Sequence, residues 1–285
     1  MSDAEKKQIG FESMNKCAAI QMASSPNVDA NLIEAGRLIR EAADAGAGLV
    51  VLPENFALMG MTEFDKLEHI EQEGEGVIQN FLMQSAKKES VWIVGGTVPL
   101  AAHSENKIRA TCLVYNDQGE QVARYDKIHL FDVDVPGTDE QYRESDTIEA
   151  GNKPRVLDTP FGRLGIAICY DLRFPELIRW MLGQGVDIIA IPAAFTAETG
   201  AAHWELLVRA RAVENLCYVV AANQGGFHVN GRKTFGHSMI VDPWGTILAK
   251  RSTGAGVVCA DVDQNQLERV RGSFPALQHR RLVCG

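Results

Sequence analysis

The sequence predicts an α/β fold: a four-layer α-β-β-α sandwich with an internal pseudo-twofold repeat, in which two similar sheets carry helices on one face and stack through the other. Three observations predict it. A strand-helix-strand-helix-strand-hairpin order occurs twice in the chain. The strand, proline and phenylalanine of Leu52-Pro53-Glu54-Asn55-Phe56 return in Ile191-Pro192-Ala193-Ala194-Phe195. Gly119 and Gly245 occupy the same turn position in the two hairpins, and no Pro/Gly/Ser-rich linker separates the halves.

In the first half, Cys17–Met22 reads as a strand, and Asn27 caps a periodic run that continues to Ala45 as a helix. Gly48–Phe56 is a buried strand stopped by Pro53. A helix over about 76–88 leads to a strand at 91–97, and Cys112–Tyr125 is a hairpin turning at Asn116-Asp117-Gln118-Gly119. In the second half a strand ends at Cys169. A helix over about 175–182, a strand at 186–195, a helix at 203–214, a strand at 217–223 and a hairpin at 238–250 follow. The polar stretch 132–154 joins the halves, and a connection that long in a compact fold is expected to be functional.

Composition narrows the function. A chain of 285 residues, 46% hydrophobic and 23% charged, can bury a substantial core. Its formal charge of -9 argues against nucleic-acid and acidic-membrane partners, which need basic surface. The six cysteines form no C-x-x-C pair and no zinc-like spacing with histidine, as expected of a reduced, cytoplasmic protein without a metal site. No segment reaches the roughly 18 apolar residues of a membrane span. Residues 1–15 are expected to be a loose tail and 16–285 a single domain.

Three strand ends carry candidate chemistry. Cys169 sits where an apolar run gives way to a helix, an elbow that exposes a nucleophile and can favour its thiolate. The same position also suits a small, inert core thiol. Glu54 ends a strand with a carboxylate at a dry edge, where desolvation is expected to raise its pKa toward that of a useful base. Lys127 leaves the first hairpin just before the long connection. Singly, each has an ordinary structural reading. Together they supply nucleophile, base and oxyanion stabiliser for amide cleavage without a histidine.

The segments LPENF, YDKIHLFDVDVPG and GIAICYDLRFPEL, in that order, resemble the nitrilase superfamily of carbon-nitrogen hydrolases, whose catalytic glutamate, lysine and cysteine match Glu54, Lys127 and Cys169. The likeness runs from about residue 16 to 275. It implies the nitrilase fold, pairing through helical faces into a homodimer or higher homo-oligomer, and a second active-site glutamate at Glu144. Within the superfamily the chain is most similar to the Nit branch. TGAAHWELLVRARAVEN is shared by its omega-amidases and deaminated glutathione amidases, while GRKTFGHSMIVDPWG looks more like the latter. The short end after SFPALQHRR departs from the longer tails of many relatives.

The resemblance implies an amidase that needs no cofactor and acts on a small anionic α-keto acid amide, above all deaminated glutathione, through a cysteine thioester with release of ammonia. Lys127 and the Tyr170 backbone N–H would hold the oxyanion, and Glu144 would orient Lys127 or the substrate. Arg173, and Arg232 with Lys233 reaching the far carboxylate, are expected to clamp the anion, with Phe195, Thr196 and His203 also at the pocket. A salt bridge from Arg173 to Asp171 or Glu176 is the competing reading. An omega-amidase acting on α-ketoglutaramate and a catalytically idle sensor or scaffold remain the alternatives.

Overall fold

The computed structural model describes residues 15–137 and 140–282. The first half comprises β1 (Lys16–Gln21), α1 (Val28–Asp44), β2 (Leu49–Val51), α2 (Val77–Glu89), β3 (Trp92–Val94), β4 (Val98–Ala101), β5 (Ile108–Tyr115) and β6 (Gln121–Asp126). The connection carries β7 (Asp132–Asp134) and β8 (Gln141–Arg143). The second half comprises β9 (Val156–Thr159), β10 (Gly162–Ile166), α3 (Pro175–Gly183), β11 (Ile188–Ala193), α4 (Ala197–Asn215), β12 (Tyr218–Asn223), β13 (Gly225–Phe227), β14 (Lys233–Phe235), β15 (Ser238–Val241) and β16 (Ile247–Arg251). β17 (Gly256–Asp261) and α5 (Gln264–Ser273) follow.

The repeat lies in the pairing. β1, β2 and β3 are parallel neighbours with β5 antiparallel beyond them, and β10, β11 and β12 are parallel neighbours with β15 antiparallel beyond them. Strand alternation then builds the layers. Ala18, Ile20, Val50 and Leu52 face α1 and α2, packing with Leu38, Ile39 and Leu82. Their neighbours Cys17, Ala19, Leu49 and Val51 join the core shared with β10–β12.

Local signals explain most element ends. The Asn27 side chain accepts from the Ala30 N–H and starts α1. α4 begins at Ala197, not near 203, because Thr196 caps it with its side chain on the Thr199 N–H. Several elements go beyond the expected order, among them β4, α5, the short pairs β7–β8 and β13–β14, and β17, which leaves the second half and pairs antiparallel with β1. The expected tail falls almost wholly on residues outside those described, as does the very end of the chain. Among the described residues no helix is long and apolar enough to cross a membrane.

Candidate active site

Glu54 is delivered by a strand that stops early. The Leu52 N–H still bonds the Val94 carbonyl, but Pro53 has no N–H to continue the ladder, and Asn55 turns into the left-handed region at φ 57°. The Asn55 N–H bonds Thr97 Oγ1 at 2.8 Å, and Gln224 Nε2 reaches across from the second half to the Glu54 carbonyl at 3.0 Å. Gly96, at φ 56°, lies so close to the Pro53 carbonyl that a Cβ there would approach it to 2.3 Å. Glu54 is therefore fixed from both sides.

Lys127 continues the pairing of β6, its N–H on the Ala110 carbonyl at 3.0 Å. Its Nζ donates to Glu54 Oε1 and to both oxygens of Glu144, each at 2.8 Å. Glu144 opens a short 3-10 turn after β8, and its Oε2 accepts the Phe131 N–H at 2.7 Å. The long connection thus folds back onto the site as a hairpin bearing a carboxylate. Lys127 is 1% exposed and Glu54 3%.

Cys169 lies past the end of β10, at φ 47°, a left-handed conformation that costs a non-glycine residue about 1–3 kcal/mol. Asp171 holds that turn. Fully buried, it accepts from the Ile168 N–H (2.9 Å), Tyr125 Oη (2.7 Å) and the His129 N–H (3.0 Å), with His129 Nδ1 at 2.6 Å. The elbow is thereby tied to the residues on both sides of Lys127. From α4, buried Arg211 donates through Nε and Nη2 to the Leu172 carbonyl at 2.9 and 2.8 Å.

Two electrostatic expectations are corrected. Burial is the largest influence on Glu54 and pushes its carboxyl up. The Lys127 charge, hydrogen bonds from Lys127 and Cys169, and the Lys66 charge together outweigh it and hold Glu54 below the usual carboxylate range. Cys169 moves the other way: burial, then the Glu54 charge, push its thiol well above the ordinary value, outweighing Lys127 and the Ala194 N–H. Cys169 rests as a thiol. The expected helix dipole is weak here because Cys169–Arg173 forms only a five-residue 3-10 helix and α3 starts at Pro175. Burial opposes the charge of Lys127, but Glu144 and Glu54 keep its ammonium strongly favoured.

These groups line a cavity holding about 480 Å³ of atom-free space. Tyr170, Arg173, Phe195, Thr196 and Arg232 share its wall, as the sequence suggests; Glu63, Lys66, Phe131, Tyr142, Arg143 and Thr199 join them without having been anticipated. Arg173 makes neither of the expected salt bridges. Its guanidinium lies over Phe195 and Tyr170, 5.2 and 5.8 Å from the ring centroids, with Nη1 3.2 Å from His203 Nδ1. His203 is exposed and touches the site only through that contact. Lys233 lies outside the lining, because it points from β14 to the exposed Phe227 ring at 5.3 Å. Among the described residues no three His, Cys, Asp or Glu side chains gather as a metal site.

A buried carboxylate-ammonium-thiol cluster beneath a pocket is the arrangement expected for acyl transfer from nitrogen, and the carbon-nitrogen hydrolase family model matches residues 16–272. The chain belongs to the carbon-nitrogen hydrolase family. This hydrolase is 46% identical over 269 residues to a Synechocystis protein named deaminated glutathione amidase, covering 93% of this chain and 98% of that one. To the human protein of the same name it is 39% identical over 267 residues, 93% and 81% of the two chains. Its fold is that of the nitrilase superfamily. The structure of Saccharomyces cerevisiae Nit3, a member of branch 10 of that superfamily, matches with a TM-score of 0.84 at 33% identity, over 94% of this chain and 96% of that one. The Caenorhabditis elegans NitFhit protein matches equally at 35% identity, over 94% of this chain and 65% of that longer one.

Proposed function

We propose that this carbon-nitrogen hydrolase cleaves the amide of an anionic α-keto acid, deaminated glutathione in preference to α-ketoglutaramate, through a thioester on Cys169. One observation carries the reading: Lys127 Nζ, bonded to both Glu54 and Glu144, shares the cavity floor with a thiol that is hydrogen-bonded to Glu54. The names of the Synechocystis and human relatives support the substrate. The lining supports an anion, with five cationic side chains against three carboxylates in a chain of net charge -9.

The resting charges define the first step. A thiol of raised pKa beside a carboxylate of lowered pKa does not ionise in advance, so proton transfer to Glu54 accompanies attack of Sγ on the carbonyl carbon. The negative charge passes to the carbonyl oxygen, where Lys127 and the Tyr170 N–H stabilise it; as the second residue of a 3-10 helix, Tyr170 has no intrahelical acceptor. Glu54 returns the proton to the departing nitrogen and the C–N bond breaks. Water then loses a proton to Glu54 and attacks the thioester, and the thiol re-forms as the acid leaves.

Atom balance revises the expected product. Ammonia comes only from a primary amide. In deaminated glutathione the amide nitrogen belongs to the cysteinylglycine unit, so that dipeptide leaves instead. The test is to quantify α-keto acid, cysteinylglycine and ammonia from deaminated glutathione and α-ketoglutaramate at low matched concentrations. A higher kcat/KM for deaminated glutathione, with equimolar dipeptide, supports the reading. A preference for α-ketoglutaramate makes the protein an omega-amidase, and hydrolysis of neither refutes both.

Pairing through helical faces belongs to the same proposal. Leu206 and Val213 of α4, with nearby Trp244 and Phe274, leave a largely apolar strip exposed, which supports self-association. A monomeric mass in light scattering at working concentration would retire it.

A further inference from the structure

Arg232 lies in the β13–β14 turn, and Glu63 and Lys66 lie on a 3-10 helix, Glu63–His69, that follows β2. Neither segment belongs to the repeated strand-and-helix scaffold. They are tied together at the cavity by Asn230 Nδ2 on the Gly60 carbonyl, at 2.7 Å. Loops on a rigid scaffold commonly set specificity, whereas groups beside the nucleophile serve the reacting bond.

The Arg232 guanidinium has unused donors. Nη2 bonds the Ala194 carbonyl at 3.1 Å, and Nη1 lies 3.8 Å from Glu63 Oε1, beyond hydrogen-bonding distance. Nε is buried with no partner among the described residues. A buried unpaired donor on a cation is costly, and a carboxylate is the group whose geometry best relieves it. The guanidinium also lies over the Tyr142 ring at 4.9 Å, which fixes its plane.

Glu63 is the movable member of the cluster. Its side chain is 36% exposed, against 14% for Arg232 and 9% for Lys66, and its firm contact is to Lys66 Nζ at 2.7 Å. The Lys66 charge, outweighing burial and aided by Arg232, holds its carboxyl at about 2. Glu63 is therefore an anion that offsets one of the two cations and leaves the cluster with one net positive charge.

We infer that Arg232 and Lys66 form a second carboxylate subsite, gated by Glu63 as a displaceable counterion, which takes the C-terminal carboxylate of the cysteinylglycine leaving group. Arg173, four residues from the nucleophile, is left to the carboxylate of the α-keto acid. The inference rests on the substrate reading above. It assigns the choice between deaminated glutathione and α-ketoglutaramate to the two loops, since only the former carries the distal carboxylate.

The test compares deaminated glutathione with its C-terminal carboxamide, using α-ketoglutaramate as a third substrate. The wild-type chain should prefer the carboxylate over the carboxamide by about 10- to 100-fold in kcat/KM, the range of a charge-assisted hydrogen-bonded pair. Arg232→Ala should bring that ratio within about threefold of unity, mainly through KM, and Arg232→Lys should restore part of it. Glu63→Gln keeps the shape and removes the competing charge, so KM for the carboxylate form should fall severalfold even if Arg232→Ala does not fold. A wild-type ratio near unity, a ratio that survives Arg232→Ala, or an unchanged or raised KM in Glu63→Gln overturns the subsite. Cleavage of α-ketoglutaramate alone overturns the substrate reading itself, and the subsite with it.

Discussion

β2 and β11 hold the same place in their two sheets, and each runs into a proline with a phenylalanine three residues later. β2 nevertheless stops at Val51, two residues before Pro53, while β11 keeps pairing with β12 through Pro192 to Ala193. The early stop turns the chain and presents a side chain, the Glu54 carboxylate. The late stop presents main chain instead: the Ala194 N–H faces the Cys169 sulfur and its carbonyl accepts from Arg232. The two sheets repeat in their pairing and differ in where each strand lets go, and the candidate site sits in that difference.

The most severe way to break the asymmetry is at the second sheet's elbow. Cys169→Ala should lower kcat by at least about 10⁴-fold, the scale of losing a nucleophile, and no acyl adduct should appear by intact-protein mass spectrometry. Turnover near the wild-type rate would remove Cys169 from the reaction. At the first sheet, Glu54→Gln should cost about 10²–10⁴-fold in kcat, as expected for a general base, while the thermal midpoint stays close to wild type. The same variant sharpens the electrostatics. Because the Glu54 charge raises the Cys169 pKa, its removal should move the pH profile of Cys169 alkylation to lower pH. A profile that stays in place would mean that burial alone controls the thiol.

Asp171→Asn tests the tie between elbow and lysine. It exchanges a buried carboxylate facing several donors for an amide, so stability should fall by about 1–3 kcal/mol. Steady-state assays should show kcat falling more than KM, since Lys127 and Cys169 lose their common brace. A fall in melting temperature with kcat intact would limit Asp171 to stability. The smallest effect concerns the clasp between halves at His228, whose Nδ1 donates to the Ser24 carbonyl and whose Nε2 accepts from the Thr234 hydroxyl, both at 2.8 Å. Only neutral imidazole can do both, and burial, with the Arg232 charge, lowers its pKa. Its contribution is therefore full above the ordinary histidine value near 6.5 and is lost as pH falls through the lowered folded value. Melting temperatures between pH 7 and pH 5 should fall less steeply in His228→Gln than in wild type; equal slopes would assign the pH response elsewhere.

The scaffold and the placing of the candidate residues together at one cavity are legible because both rest on local signals. Apolar runs, the Asn27 cap, the Asn116–Gly119 turn and the proline after Leu52 each act within a few residues. Glu54, Lys127 and Cys169 stood out as polar residues at strand ends. The start of α4 was written in Thr196 and Thr199 but was masked by the weak amphipathic pattern that follows. Other features depend on distant partners. Nothing near Glu54 says that one ammonium will offset its desolvation, and nothing near Lys66 says that the chain will bring it to Arg232. Asp171 read as a possible partner for Arg173; apart from the nearby Ile168 N–H, its donors lie more than forty residues back, on the segment around Lys127.

β17 gives the fold an order in time. The chain's first described strand, β1, borders β2 on one side, and its other edge is closed only by residues 256–261, register for register from Lys16 opposite Asp261 to Gln21 opposite Gly256. During synthesis residues through 261 must emerge before that edge is covered. A nascent chain halted before residue 256 would hold Glu54, Lys127 and Cys169 and still carry an open, apolar strand border, the kind of edge that recruits other chains. Among the described residues, the last strand made is the one that seals the first.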